Sequence, residues 1–234
     1  ILCKKLFSRF FVTVWYGICT TIYGMQHELV LRRTEYTASE VFVQELRTEL
    51  IRKGIHLFIA FVPFFASLNL YVTFVCLGAG TLFYALAELL RFHGRRVPVI
   101  SLVTECASRR RDIGKIVLGP VTLGLGAMAA LFFYPEPAAA LAIYALAFGD
   151  SFSSIFGKLF GRIKIPFTGG KSVLGSIACF TAVFLITYLV VPEIKGALLI
   201  AGGAMVLEAL PLRDLDNLII PVGTGFFAYV IYLL

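Results

Sequence analysis

The chain has 234 residues, of which 59% are hydrophobic and 15% charged, and its formal net charge is +7. So little charge on so apolar a chain excludes a soluble globular domain. It is the composition of helices that cross a bilayer, where about 20 apolar residues span roughly 30 Å of hydrocarbon.

Apolar runs near 8–25, 55–69, 70–90, 115–134, 137–156, 173–191, 196–211 and 218–234 predict an all-α fold. The expected architecture is a polytopic integral membrane protein, a compact bundle of about seven to eight transmembrane helices with no room for a soluble domain. Residues 1–36 form an N-terminal hydrophobic or interfacial segment, and 37–234 the membrane domain. Lys4, Lys5 and Arg9 flank the first run, which either lies in the interface or anchors the chain. Thr37-Ala38-Ser39-Glu40 has the pattern of a capping box. The helix it opens carries Val41, Val43, Leu46 and Leu50, pairs Glu49 with Lys53 four residues on, and feeds the span after His56. The stretch 55–90 turns at Ser67-Leu68-Asn69. The loop 91–115 contains a short helix around Ile100–Ala107, and Pro135-Glu136-Pro137 and Val191-Pro192-Glu193 are short turns on the far side.

Seventeen of the 21 Lys and Arg residues fall in the segments 26–54, 91–115, 157–172 and 212–217, whereas the opposite loops hold only Lys195. By the positive-inside rule the basic face is cytoplasmic, and it is the expected active face of a multi-pass protein. Basic residues confined to juxtamembrane loops are accounted for by topology and anionic lipid, so no nucleic-acid partner is expected. Cys3, Cys19, Cys76, Cys106 and Cys179 show no metal-binding spacing and read as small apolar residues.

Four clusters lie at the predicted cytoplasmic ends of spans. Arg52-Lys53-Gly54-Ile55-His56 is either a basic helix flank or a phosphate clamp. Glu88 follows some thirty residues without formal charge, and it snorkels, orients a basic partner or helps hold a metal. The stretch Gly149–Ser176 places one acid, three lysines, one arginine and six glycines between two apolar runs. Bare glycine N–H groups interleaved with lysines suit a polyanion. Gly157 and Gly161 also form a GxxxG, whose plain meaning is close helix packing. Gly169-Gly170-Lys171-Ser172 is not a Walker A loop, because Ile165 stands where its first glycine belongs. The last cluster runs from Glu208 to Asn217, in which Asp214, Asp216 and Asn217 offer oxygen ligands suited to a hard cation such as Mg²⁺.

Acids at 150, 208, 214 and 216 beside bases at Arg52, Lys53, Lys158, Lys164 and Lys171 describe a nucleotide–Mg²⁺ site. The expected catalytic residues are Asp150, Lys171, Glu208 and Asp216, and the expected metal ligands Asp150, Asp214, Asp216 and Asn217. Asp150 either binds the metal or takes a proton from the acceptor.

The motifs RKGIH at 52–56, AE at 87–88, GD and GKLFGRIK within 149–164, KSVLGS at 171–176 and EALPLRDLDNLIIP at 208–221 resemble the CTP-dependent lipid kinases, a family that includes dolichol, phytol and diacylglycerol kinases. The resemblance covers most of residues 50–225 and implies CTP as phosphate donor, Mg²⁺ as cofactor and a lipid alcohol as acceptor, with self-association left open. It implies nucleotide binding by Arg52, Lys53, His56, Gly149, Lys158, Gly161, Lys164, Lys171, Ser172, Gly175 and Ser176. Leu174 departs from the family's KSxEGS, where a glutamate is usual, and so puts metal or ribose binding in question. The chain is also similar to phosphatidate cytidylyltransferase, but its Glu208-Ala209-Leu210 and Asp216-Asn217-Leu218 match the kinase form better. A transporter or lipid-binding protein is the non-enzymatic alternative; the matched halves of a transporter are not visible in the sequence.

Overall fold

The computed structural model describes residues 38–95, 97–108, 115–212 and 215–233. The segment 1–36, with its expected helix at 8–25, and the Thr37 cap lie outside the described residues, as does Asp214. The chain divides into a unit of residues 1–45 and a larger unit of 46–234. Of the smaller unit, the described part is the start of one helix.

All regular elements among the described residues are helical, as composition predicts. Helix α1 (Ala38–Phe58) continues through a 3₁₀ turn (Ile59–Phe61) into α2 (Val62–Leu68), with Pro63 in the first turn of α2, where its missing N–H costs nothing. The amphipathic helix and the span expected at 55–69 are therefore one helical run. Asn69 ends it with an extended backbone and caps α3 (Leu70–Phe92), its side chain accepting from the Val72 N–H at 3.0 Å. The short α4 (Pro98–Ala107) lies in the expected loop. Next come α5 (Gly119–Phe133) and α6 (Ala138–Tyr144), which widens into a π-helical stretch (Ala145–Asp150) before α7 (Ser151–Phe160). The bundle is completed by α8 (Val173–Val190), α9 (Ile194–Ala209) and α10 (Asp216–Leu233).

Among the described residues, four helical runs are long and apolar enough to cross a membrane: Glu40–Leu68, Leu70–Phe92, Ala138–Phe160 and Val173–Val190. The spans expected at 115–134, 196–211 and 218–234 form shorter helices, such as α5 with 15 residues and α9 with 16, because Pro120 and Pro211 sit where those two helices begin and end.

Helix α6 and its π extension form the centre, with every residue from Ala138 to Ile143 buried. Small side chains fill the interior, among them Ala127, Ala130, Ala142, Ala147, Ala201, Ala204 and Ala228. Large apolar side chains such as Leu82, Phe83, Phe132, Leu189 and Leu199 face outward. Lipid tails solvate those outer side chains, so helix association rests on the close approach that small residues permit. Gly126 shows the tightest case, since a Cβ there would strike the Asn217 carbonyl oxygen. Gly126→Ala is therefore expected to cost about 1–3 kcal/mol by overpacking. Thermal unfolding in detergent reads this out, and an unchanged midpoint would contradict it.

Candidate active site

The π stretch ends on Asp150, and such bulges re-aim side chains relative to a regular α-helix. Its neighbour Gly149 packs so close to α8 that a Cβ would lie 2.9 Å from Val183 Cγ2. Asp150 is thereby held in the interior, where Oδ2 accepts a hydrogen bond from Lys53 Nζ and lies 3.1 Å from His56 Nδ1. Lys53 has no exposed side-chain surface, and Asp150 and His56 have 4% each. The i, i+3 spacing of Lys53 and His56 on α1 brings both to one carboxylate. A buried ammonium of this kind requires a counter-charge.

Asp150 also lines a cleft of about 580 Å³. About two turns of helix build its floor: Asp150 at the end of the π stretch and Ser153, Ser154 and Gly157 of α7 recur at helical spacing. Arg52, Lys158, Lys164 and Lys171 supply four cations to the wall, and Glu49, Asp150, Glu208 and Asp216 four carboxylates. The segment from Ile163 to Val173 folds back on itself, with Ile165 N–H donating to Lys171 O at 2.8 Å and Val173 N–H to Ile163 O at 3.1 Å. Gly169 (φ 71°) and Gly170 (φ 97°) make that turn in the left-handed region, which a side chain would oppose. Ser172 then caps α8, its Oγ accepting from Gly175 N–H at 3.1 Å. The positive ends of α8 and α10, which begin at Val173 and Asp216, lie beside these cleft residues and favour an anion.

The acids are not equivalent. Glu208 Oε1 accepts from Ser153 Oγ at 2.6 Å and lies 3.0 Å from Lys171 Nζ, which also donates to the Glu208 carbonyl. Glu208 Oε2 is buried without a hydrogen-bond partner. Glu49 holds Arg52 at 2.6 Å and Lys158 at 3.4 Å. The expected Glu49–Lys53 pair is thus replaced, because the π stretch offers Lys53 a fully buried partner in Asp150.

The donor set suits a divalent cation carried by a polyphosphate. No three His, Cys, Asp or Glu side chains among the described residues converge as a metal site by themselves. A hard cation such as Mg²⁺ needs only one or two protein carboxylates when phosphates and water complete its shell. The unpartnered Glu208 Oε2 and the cleft-lining Asp216 fit that requirement.

Of the residues predicted from sequence, Arg52, Asp150, Lys158, Lys164, Lys171, Ser172, Glu208 and Asp216 line this cleft. Lys53 and His56 stand behind Asp150. Gly161 and Gly175 pack around the Ser172 side chain, and Ser176 is buried on α8. Asn217 points elsewhere: its Nδ2 donates to Gly119 O at 3.1 Å and Thr122 Oγ1 at 3.0 Å, tying α10 to the first turn of α5. Glu88 orients a basic partner, with both oxygens 2.7 Å from Arg91 and Oε1 also accepting from Val117 N–H at 2.7 Å. It fastens residues 115–117 to the end of α3, outside the cleft. Leu174 faces an apolar groove with Phe148, Phe152 and Phe156, so its departure from the family glutamate removes no ligand from the cleft. Sequence reasoning did not place Glu49, Ser153 and Thr168 in the cleft. For Ser153 the signal was its i+3 spacing from Asp150.

These features define an all-helical membrane protein with a basic, carboxylate-bearing cleft. Among curated proteins, the chain is similar to phytol kinase 1, chloroplastic, of Arabidopsis thaliana, at 25% identity over 237 residues, 92% of this chain and 75% of that protein. It is similar to probable phytol kinase 1, chloroplastic, of Oryza sativa subsp. japonica, at 26% over 158 residues, 60% of this chain and 50% of that protein. The farnesol kinase, chloroplastic, of Arabidopsis thaliana matches at 29% over 142 residues, 53% of this chain and 46% of that protein. The chain spans about half the length of several of these relatives. No protein-family model matches it, and no solved structure does. The chain is thus similar to phytol and farnesol kinases, in agreement with the resemblance carried by its motifs.

Proposed function

We propose that the protein is a CTP-dependent kinase of a long-chain lipid alcohol, with the phytol or farnesol class as acceptor. The observation that carries this reading is the cleft itself: four cations and four carboxylates around about 580 Å³, one of the carboxylates being Asp150, which is paired with the fully buried Lys53, in a helical membrane protein. The names of its relatives support the acceptor class, and the motif resemblance supports CTP.

In this reading Arg52, Lys158, Lys164 and Lys171 hold the triphosphate, Arg as a planar fork and the lysines as point charges. Glu208 and Asp216 hold Mg²⁺, which when bound neutralises charge developing on the transferred phosphoryl group. Asp150, fixed by Lys53 and His56, accepts the hydrogen bond of the lipid hydroxyl and takes its proton as the oxygen attacks the γ-phosphorus and CDP leaves. Because the transition state is loose, most of the work is positioning, and a salt-bridged carboxylate suffices as proton acceptor. The concentration of basic residues in the loops of one side supports a multi-pass topology with the active face in the cytoplasm or an equivalent compartment.

Purified protein in detergent should release CDP from CTP and Mg²⁺ only when farnesol or phytol is added. Chelation of the divalent cation should bring release to background, and returning Mg²⁺ should restore it. Alcohol-independent release, or release undiminished by chelation, would contradict the assignment.

A further inference from the structure

A second, smaller cavity of about 60 Å³ adjoins the cleft at Arg52, which lines both. We propose that it receives the hydroxyl end of the lipid alcohol, with α4 forming the wall that selects the chain. This rests on the lipid-alcohol kinase reading above.

The lining has the polarity of the proposed ligand. Arg52, His56, Tyr84 and Thr104 provide a polar side, while Ile55, Val103, Leu118 and Leu123 are among its apolar residues. The polar groups have capacity to spare. Tyr84 Oη lies at long range, 3.3 Å, from both Thr104 Oγ1 and Val117 O, and Arg52 Nε is buried without a hydrogen-bond partner. A hydroxyl that both donates and accepts satisfies such groups, which are costly to leave unpaired.

Position supports the same occupant. His56 lines this cavity, Asp150 lines the cleft, and the two side chains approach to 3.1 Å. An acceptor oxygen beside His56 in the cavity is thus one side chain away from the carboxylate that meets the nucleotide space. The volume admits the first few heavy atoms of an alcohol and excludes a nucleotide, leaving the chain among apolar side chains.

The larger apolar groove between α7 and α8, about 500 Å³, is the competing place for the lipid. It is walled from the cleft where the two helices touch: a Cβ on Gly175 would lie 2.8 Å from Ser153 O and 3.3 Å from Gly157 Cα. A chain seated there has no opening to Asp150 at that level.

The wall of α4 contributes Val103, Thr104 and Ala107. Val103→Trp should raise KM for farnesol by about tenfold or more while leaving KM for CTP unchanged. Leu185→Trp, in the competing groove, should alter neither. An unchanged farnesol KM in Val103→Trp, or a raised one confined to Leu185→Trp, would overturn the proposal. Photolabelling of the wild-type protein in vesicles with a diazirine-bearing farnesol analogue provides a readout independent of turnover. Label on the peptides carrying residues 84 and 103–107 supports the cavity, and label confined to 174–189 refutes it. Absence of alcohol-dependent turnover would instead defeat the kinase reading, whatever the label shows.

Discussion

Asp150→Asn is expected to stop turnover and also to destabilise the protein by about 3–5 kcal/mol, because it leaves a buried ammonium without its counter-charge. Lys53 has no exposed side-chain surface, its hydrogen bond goes to Asp150 Oδ2, and His56 Nδ1 lies 3.1 Å from the same oxygen. The two losses separate in the double variant Lys53→Met, Asp150→Asn, which removes both charges at once. Its unfolding midpoint should return toward wild type, since apolar replacement of a whole buried pair is often neutral or stabilising. Turnover should remain absent, because the carboxylate that meets the acceptor is gone. Thermal unfolding in detergent and an alcohol-dependent CDP assay on the three proteins make the comparison. A single variant as stable as wild type would show that the pair is not the structural charge cluster described here.

Lys171→Ala is expected to lower kcat by about 10²–10³ with little change in stability, the magnitude found when one preorganised donor to developing charge is removed. Lys171 retains 24% side-chain exposure, and Glu208 keeps its hydrogen bond from Ser153 when the lysine is removed. The contrast lies in the two ammonium groups: Lys53, which Asp150 neutralises, is sealed in the bundle, whereas Lys171 sits on the cleft wall beside the Gly169-Gly170 turn. Rapid unfolding of Lys171→Ala, or kcat within a factor of a few of wild type, would count against a direct role.

Helical periodicity and run length located the helices well, because apolar runs flanked by Pro, Gly and charge mark helices wherever they pack. The turn at Asn69 was visible for the same local reason. Partners were less legible. Glu49 and Lys53 have the spacing of an intrahelical pair, yet tertiary structure gave each a different companion. That outcome depends on the π stretch delivering Asp150, and nothing in the local pattern announces a π turn. Asn217 stands next to Asp216 in sequence, but consecutive helical residues diverge by about 100°, so one reaches the cleft and the other α5. Glu88 looked like a site residue for want of nearby charge; its Arg91 partner lies three residues on, and its Val117 partner is remote in sequence.

The central claim, that this cleft moves the terminal phosphoryl group of a nucleotide onto a lipid hydroxyl, is tested most directly by following label. Purified protein is incubated with Mg²⁺, farnesol, phytol and phosphatidate, and with CTP labelled separately at the α and γ positions. Label from the γ position should appear in a lipid phosphate, with CDP released in equal amount and no α label in lipid. Label from the α position in lipid, with pyrophosphate released, would contradict the kinase and make the cleft a cytidylyltransferase site.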